Sequence, residues 1–199
     1  MPLAPIGVLG GSFNPPHLGH LLIASEAHCQ LGLERVLFIP ANTPPHKQVA
    51  DGVSAAARLA MIRLAVAGDD RFAVSSLEID EGLSYTVEVL RVLHAAQPER
   101  ELVFIVGSDS LLQFDSWYRP AEILSLCRLA VAPRPGDSPS LIAATVARFG
   151  ADTVAVLDSM QFAVSSSALR ERVRRHETLR YLVPPAVEEF VYEQRLYAE

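Results

Sequence analysis

Short runs of aliphatic and β-branched residues, each bounded by turn residues, alternate with stretches of helical spacing along the whole chain. That alternation excludes most folds, because strand-helix-strand repeats are how parallel βαβ units read in sequence. A strand is predicted over Pro5 to Gly10, a helix from about His17 to Gln30 closed by Gly32, and a second strand over "RVLFI", Arg35 to Ile39. A proline-rich loop, "PANTPPHKQVADG", precedes a helix from Ser54 to Ala67 and a third strand near Phe72 to Ser75. Ser84 is read as the cap of a helix running to about Ala96. "ELVFIVG" makes a fourth strand, followed by a short helical segment after "GSDS" and another near Ala121 to Leu126. "RLAVA" is a fifth strand, Pro139 to Phe149 a helix, "TVAVL" a sixth strand, and "SSSALRERVRR" and "PPAVEEFVYEQRL" two closing helices. The expected fold is α/β: a single doubly wound parallel sheet with helices on both faces and a small C-terminal helical segment. Ligands of such sheets sit beyond the carboxyl ends of the strands, where the winding reverses. Three distinctive loops, after Gly10, Ile39 and Val106, leave that edge.

The chain has 199 residues, 50% of them hydrophobic, enough for one self-sufficient core. Its net charge of -6 argues against a general nucleic-acid or membrane-surface binder, which would show a basic face. Two cysteines, Cys29 and Cys127, lie far apart in apolar patterns, which speaks against a disulfide framework or zinc module and suits a reducing cytoplasm. No apolar run reaches the roughly 18 to 20 residues of a bilayer span and no charged signal-peptide start is present, so a soluble protein is expected.

The stretch "GGSFNPPHLGH", residues 10 to 20, joins the first strand to the first helix. Its glycines allow a sharp turn and bring backbone N–H groups close to a ligand, while its prolines fix the entry to a helix start rich in unpaired donors. A phosphate seat results. His17 and His20 share one face of the first turn, and each imidazole can donate a hydrogen bond to phosphate oxygen. Neither the dinucleotide fingerprint G-x-G-x-x-G nor the P-loop G-x-x-x-x-G-K-[ST] is present. A metal pair is the weaker reading, because no Cys, Asp or Glu in the same turn completes a ligand set.

A second anion site is expected in "VSSSALRERV", where Ser165, Ser166 and Ser167 open a helix and Arg170 follows one turn on with a planar set of donors. A plain serine-capped surface helix explains Arg172, Arg174 and Arg175 equally well. Lys47 is the only lysine among 17 basic residues, and a flexible ammonium on a loop can follow a substrate phosphate. The single tryptophan, Trp117, ends a polar loop, where packed anchors are commoner than stacking platforms.

His17-Leu18-Gly19-His20 resembles the (H/T)xGH signature of the nucleotidyltransferase α/β-phosphodiesterase superfamily, and the preceding "GGSFNPP" narrows the resemblance to the bacterial nicotinate-nucleotide adenylyltransferase family. "PPHK" (Pro44 to Lys47), "LSYTVEVL" (Leu83 to Leu90), "VGSDSLLQFDSWYRPAEIL", "APRPG" (Ala132 to Gly136) and the terminal "RYLVPPAVEEFVYEQRLY" extend it over almost the whole chain. In the late segment the family reads "ISSTxIR" or a close variant, so the chain departs at Val164, Ser167 and Leu169, while Ser167 keeps a hydroxyl. The resemblance implies a Rossmann-like nucleotidyltransferase domain over 1-199, with 164-199 as its helical part. It implies ATP contacts from Gly10, Gly11, Ser12, Phe13, His17, His20, Gly107, Asp109, Ser166, Ser167 and Arg170. Contacts to nicotinate mononucleotide are implied for Ser12, Lys47, Tyr85, Thr86, Trp117 and Arg134, with Trp117 stacked on the pyridine ring.

The implied reaction is attack of the mononucleotide phosphate on the α-phosphorus of ATP, giving nicotinate adenine dinucleotide and pyrophosphate. Catalysis of this type is alignment and charge stabilisation without a covalent nucleophile. The expected roles are His20 at the α-phosphate transition state, His17 on the triphosphate and Arg170 at its β/γ end, with Mg2+ bound through the ATP phosphates. Two alternatives stay open: nicotinamide mononucleotide as acceptor, and a pyridine-nucleotide sensor without turnover. Phosphopantetheine adenylyltransferases share the first motif but are shorter and lack the "SYT" and tryptophan elements. The oligomeric state, a homo-oligomer included, is left open.

Overall fold

The computed structural model describes residues 3–42, 52–150, 152–158, 160 and 162–198. Lys47 and the "PPHK" loop fall outside the described residues. Six strands, β1 (Ile6–Gly11), β2 (Arg35–Pro40), β3 (Phe72–Val74), β4 (Leu102–Gly107), β5 (Arg128–Ala132) and β6 (Val154–Val156), form one sheet in the order β3-β2-β1-β4-β5-β6, every pair parallel. The winding reverses between β1 and β4, which pair from Ile6 with Leu102 to Leu9 with Ile105. The helices are α1 (Leu18–Leu31), α2 (Ala55–Val66), α3 (Leu77–Asp80), α4 (Thr86–Ala96), α5 (Ser108–Leu112), α6 (Pro120–Leu126), α7 (Pro139–Phe149), α8 (Ser166–Arg174) and α9 (Pro185–Glu193).

The strands are apolar on both faces, and their two-residue period divides the core. Val8, Phe104, Leu129 and Val131 enter one cluster with Val87 and Leu90 of α4, Ile123 of α6 and Ile142 of α7. Leu9, Val103, Ile105, Ala130 and Ala132 enter the other with Ala24 and Ala27 of α1 and Ile62 of α2. A third cluster lies behind α2: Met61 packs there with Leu169 and Val173 of α8, Val187 and Val191 of α9, and Tyr197. α2 is thus covered on two sides, which is why its sequence is apolar nearly all round.

The structure departs from the sequence reading in four places. The short α3 was not expected; serine side chains build it, Ser75 accepting from the Leu77 N–H and Ser76 donating to Asp80. Tyr85, not Ser84, is the cap residue of α4, and the Glu88 carboxylate accepts from the N–H groups of both Ser84 and Tyr85 at 3.2 and 3.1 Å. Gly10 and Gly11 do not make the first turn. They complete the β1 ladder opposite Ile39 and Pro40, and the chain turns at Phe13, whose φ is +48°. Cys29, expected in an apolar setting, is exposed, whereas Cys127 is buried. Among the described residues no helix is long and apolar enough to cross a membrane.

Candidate active site

The first loop leaves β1 beside the β1–β4 reversal, where an open doubly wound sheet places its ligand. His17 is the cap residue of α1, and its backbone N–H donates to Nδ1 of His20 at 3.2 Å. This is the return half of a capping box, with histidine in the place where glutamate or glutamine is usual. An Nδ1 that accepts leaves the neutral ring's proton on Nε2, so His20 presents an Nε2–H donor. The two imidazoles stack at 3.7 Å between centroids. Burial, then the Arg134 charge, pushes the His17 pKa down from 6.5 to about 4. Burial, then the charges of His17 and Arg134, lowers that of His20 as well. Both shifts leave the rings neutral at pH 7.

The expected array of free N–H groups at the start of α1 is smaller than the sequence suggests. Leu18 already donates to the Leu182 carbonyl at 3.0 Å, and His20 to that of His17 at 2.9 Å. Donors for an anion therefore come from side chains and from the facing segment. That segment is the start of α8. Val164 packs onto Gly19 so closely that a Cβ there would lie 3.0 Å from its Cγ1 and 3.0 Å from His17 Nδ1. The glycine between the two histidines is what lets α8 approach. Ser166 Oγ donates to the Pro15 carbonyl at 2.9 Å, and Arg170 Nη1 donates to that of Asn14 at 2.9 Å and Nη2 to Ser167 Oγ at 3.3 Å. Ser165 caps the helix by accepting from the Ala168 N–H.

Across the reversal, Gly107 ends β4 and Asp109 lies in the first turn of α5. Asp109 does not cap; it pairs with Arg134 at 3.0 Å. A Cβ on Gly107 would meet Asp109 Oδ1 at 2.7 Å and Arg134 Nε at 3.2 Å, so this glycine is the floor of the pair. Ser108 and the backbone N–H of Arg134 both donate to Asp137, which fixes the turn after β5. Arg134, expected among the acceptor contacts, thus stands with Asp109 and close enough for its charge to lower the pKa of both histidines.

Trp117 and the start of α4, with Tyr85 and Thr86, lie on the sheet face of the first cluster. Trp117 packs against Phe104 at 6.0 Å and Phe114 at 5.3 Å between ring centroids and is half-buried. Phe104 in turn lies under Gly10, 3.5 Å from where a Cβ would be. Tyr85, beside Thr86 at the start of α4, stacks near Tyr118 at 4.5 Å. Ser12 is exposed at the mouth of the first loop.

One residue escaped the sequence reading. Arg58 is fully buried in α2, donating to the Ser12 carbonyl and the Asn42 carbonyl, both at 2.9 Å. Glu78 of α3 accepts from the Asn42 N–H at 3.2 Å, and burial raises its pKa from 4.5 to about 7. The available signal was an arginine inside an apolar helix, one turn before Met61 and Ile62.

The cytidylyltransferase-like family model matches residues 8–172. A probable nicotinate-nucleotide adenylyltransferase of Synechococcus sp. (strain JA-3-3Ab) is 44% identical over 197 residues, covering 98% of this chain and 95% of that protein. One of Trichlorobacter lovleyi, similarly named, is 43% identical over 209 residues, covering 96% and 98%. Among solved structures, Plasmodium falciparum nicotinic acid mononucleotide adenylyltransferase matches in fold, with a TM-score of 0.82 when complexed with NaAD and 0.79 when complexed with APC, at 14% identity and 98% coverage of each chain. With the histidine pair at the winding reversal and α8 docked on it, the chain belongs to the cytidylyltransferase-like family, and within it to the nicotinate-nucleotide adenylyltransferases.

Proposed function

We propose that this chain transfers the adenylyl group of ATP to nicotinate mononucleotide, forming nicotinate adenine dinucleotide and releasing pyrophosphate. The observation that carries the reading is the docking of α8 on the first loop, which gathers imidazole, hydroxyl and guanidinium donors beyond one end of the sheet. The names of relatives at 43 and 44% identity support the choice of reaction.

A phosphate monoester is largely ionised near neutral pH, its second pKa lying near ~6. Its oxygen forms the new bond to the α-phosphorus, the bond from that phosphorus to the oxygen bridging toward the β-phosphate breaks, and pyrophosphate leaves with the electron pair. No strong base is needed. His20 Nε2–H donates to an α-phosphate oxygen as charge develops, His17 lies against the triphosphate, and Arg170, kept on the Asn14 carbonyl by Nη1, offers its other donors to the β/γ end. Ser166 and Ser167 add first-turn N–H groups that have no partner within their helix. Gly10, Gly11, Ser12, Phe13, Gly107 and Asp109 complete the ATP side. Tyr85, Thr86, Trp117, Lys47 and Ser12 receive the mononucleotide, and Arg134 stands between the two substrates. Magnesium enters as a companion of the ATP phosphates: the side chains around the first loop are donors that suit phosphate, and the ion retains several waters. When bound with ATP it would supply positive charge to the leaving pyrophosphate, beside the donors of His17, Ser167 and Arg170.

The test supplies ATP and magnesium with the acid mononucleotide or its amide and follows pyrophosphate. Release is expected with the acid; faster release with the amide transfers the reading to that acceptor, and binding without release favours a sensor.

A further inference from the structure

Asn14 lies in the first loop shortly before His17 and is 3% exposed. It is gripped at both ends. Its backbone carbonyl accepts from Arg170, and its side-chain Oδ1 accepts the phenolic proton of Tyr197 at 2.6 Å, from a residue 183 positions along the chain. Tyr197 lies in the segment after α9, 4% exposed, in the left-handed backbone region at φ +65°. Side chains with a Cβ rarely adopt that conformation, and Phe13, next to Asn14, shares it at φ +48°. The buried Tyr197–Asn14 hydrogen bond thus has a disfavoured residue at one end and another next to its other end. The Tyr197 ring is seated in the third cluster with Met61, Leu179 and Val191, and the Leu196 N–H donates to the Val191 carbonyl at 2.9 Å, so its hydroxyl is aimed by packing. Arg58 holds the Ser12 carbonyl of the same loop at 2.9 Å.

Packing alone would be served by phenylalanine. We propose that Tyr197 is a positioning residue for the adenylyl transfer: through Asn14 it fixes the loop that carries His17 and His20 against Arg170. This rests on the function proposed above.

Tyr197→Phe deletes one oxygen and leaves the ring. Turnover of ATP with nicotinate mononucleotide is expected to fall about tenfold, the scale of a small displacement at a reacting centre. Both KM values should stay within about twofold, because the loss lies in alignment rather than binding. The imidazole nitrogen NMR signals of His17 and His20, recorded without nucleotide, should move. A variant with a lower melting temperature but unchanged kcat overturns the proposal, and so do imidazole signals that superpose on those of the parent, whatever the rate. A parent protein that releases no pyrophosphate removes the assigned function instead, and the imidazole signals then decide on Tyr197 by themselves.

Discussion

His20 serves two masters: its Nδ1 receives the His17 backbone N–H, and that bond leaves the Nε2 proton free for a ligand. His20→Ala should therefore lower kcat by about 10² to 10⁴, the loss of a transition-state donor, and also remove a cap. Glutamine at the same helix position can return the cap. His20→Gln is expected to regain the melting temperature but not the rate; recovery of both would show that His20 acts only as a cap. For His17 the readout is pH. Between 6.5 and about 4 the unfolded chain binds a proton that folded His17 refuses, so stability falls as pH drops through that window, by roughly 3 kcal/mol from this residue. Glu78 works oppositely: its raised pKa lets the folded chain keep a proton between 4.5 and about 7, a contribution lost as pH rises. Denaturant titrations at pH 7 and pH 4.5 should show a smaller acid loss in His17→Gln than in the parent, and equal losses would contradict the assignment. Trp117→Ala should raise the KM for the pyridine nucleotide far more than for ATP, and equal effects would contradict stacking. The histidines, serines and Arg170 were legible because their residue types match anion chemistry. Arg58 was not, since one arginine in an apolar helix reads as a surface residue until its burial and its two carbonyl partners are seen.

Among the elements, α8 matters most, because it delivers Ser166, Ser167 and Arg170 to a loop far away in sequence. Leu169, 1% exposed, anchors it in the third cluster. Leu169→Ala should cost about 2–5 kcal/mol and raise the KM for ATP more than that for the acceptor; denaturant unfolding and steady-state rates measure the two effects. A rise confined to the acceptor would detach α8 from the ATP side. The strands and long helices were readable from period and caps. What local pattern could not give was the competition at helix ends. Glu88 accepts from the N–H groups of Ser84 and Tyr85, which moves the cap from Ser84 to Tyr85, and the Leu182 carbonyl takes the Leu18 donor expected to be free for phosphate. Both outcomes depend on groups whose approach is decided by rotamer or tertiary packing rather than by spacing.

For the whole molecule, the parallel order reversing between β1 and β4 brings the first loop, the Gly107 turn and the Arg134 turn to one edge. Alternation in the sequence was enough to expect that edge, because all parallel strands end on the same side. The third cluster was visible only as two closing helices; that it covers the back of α2 and reaches Asn14 through Tyr197 is a matter of long-range packing. The central claim is that residues 10 to 20 and 164 to 170 bind one nucleoside triphosphate together. A crystal structure with an unreactive ATP analogue tests it most directly. It should place the α-phosphate within hydrogen-bond reach of His20 Nε2, with the β/γ end on Arg170 and the first-turn N–H groups of α8. A triphosphate touching only one of the two segments would contradict it.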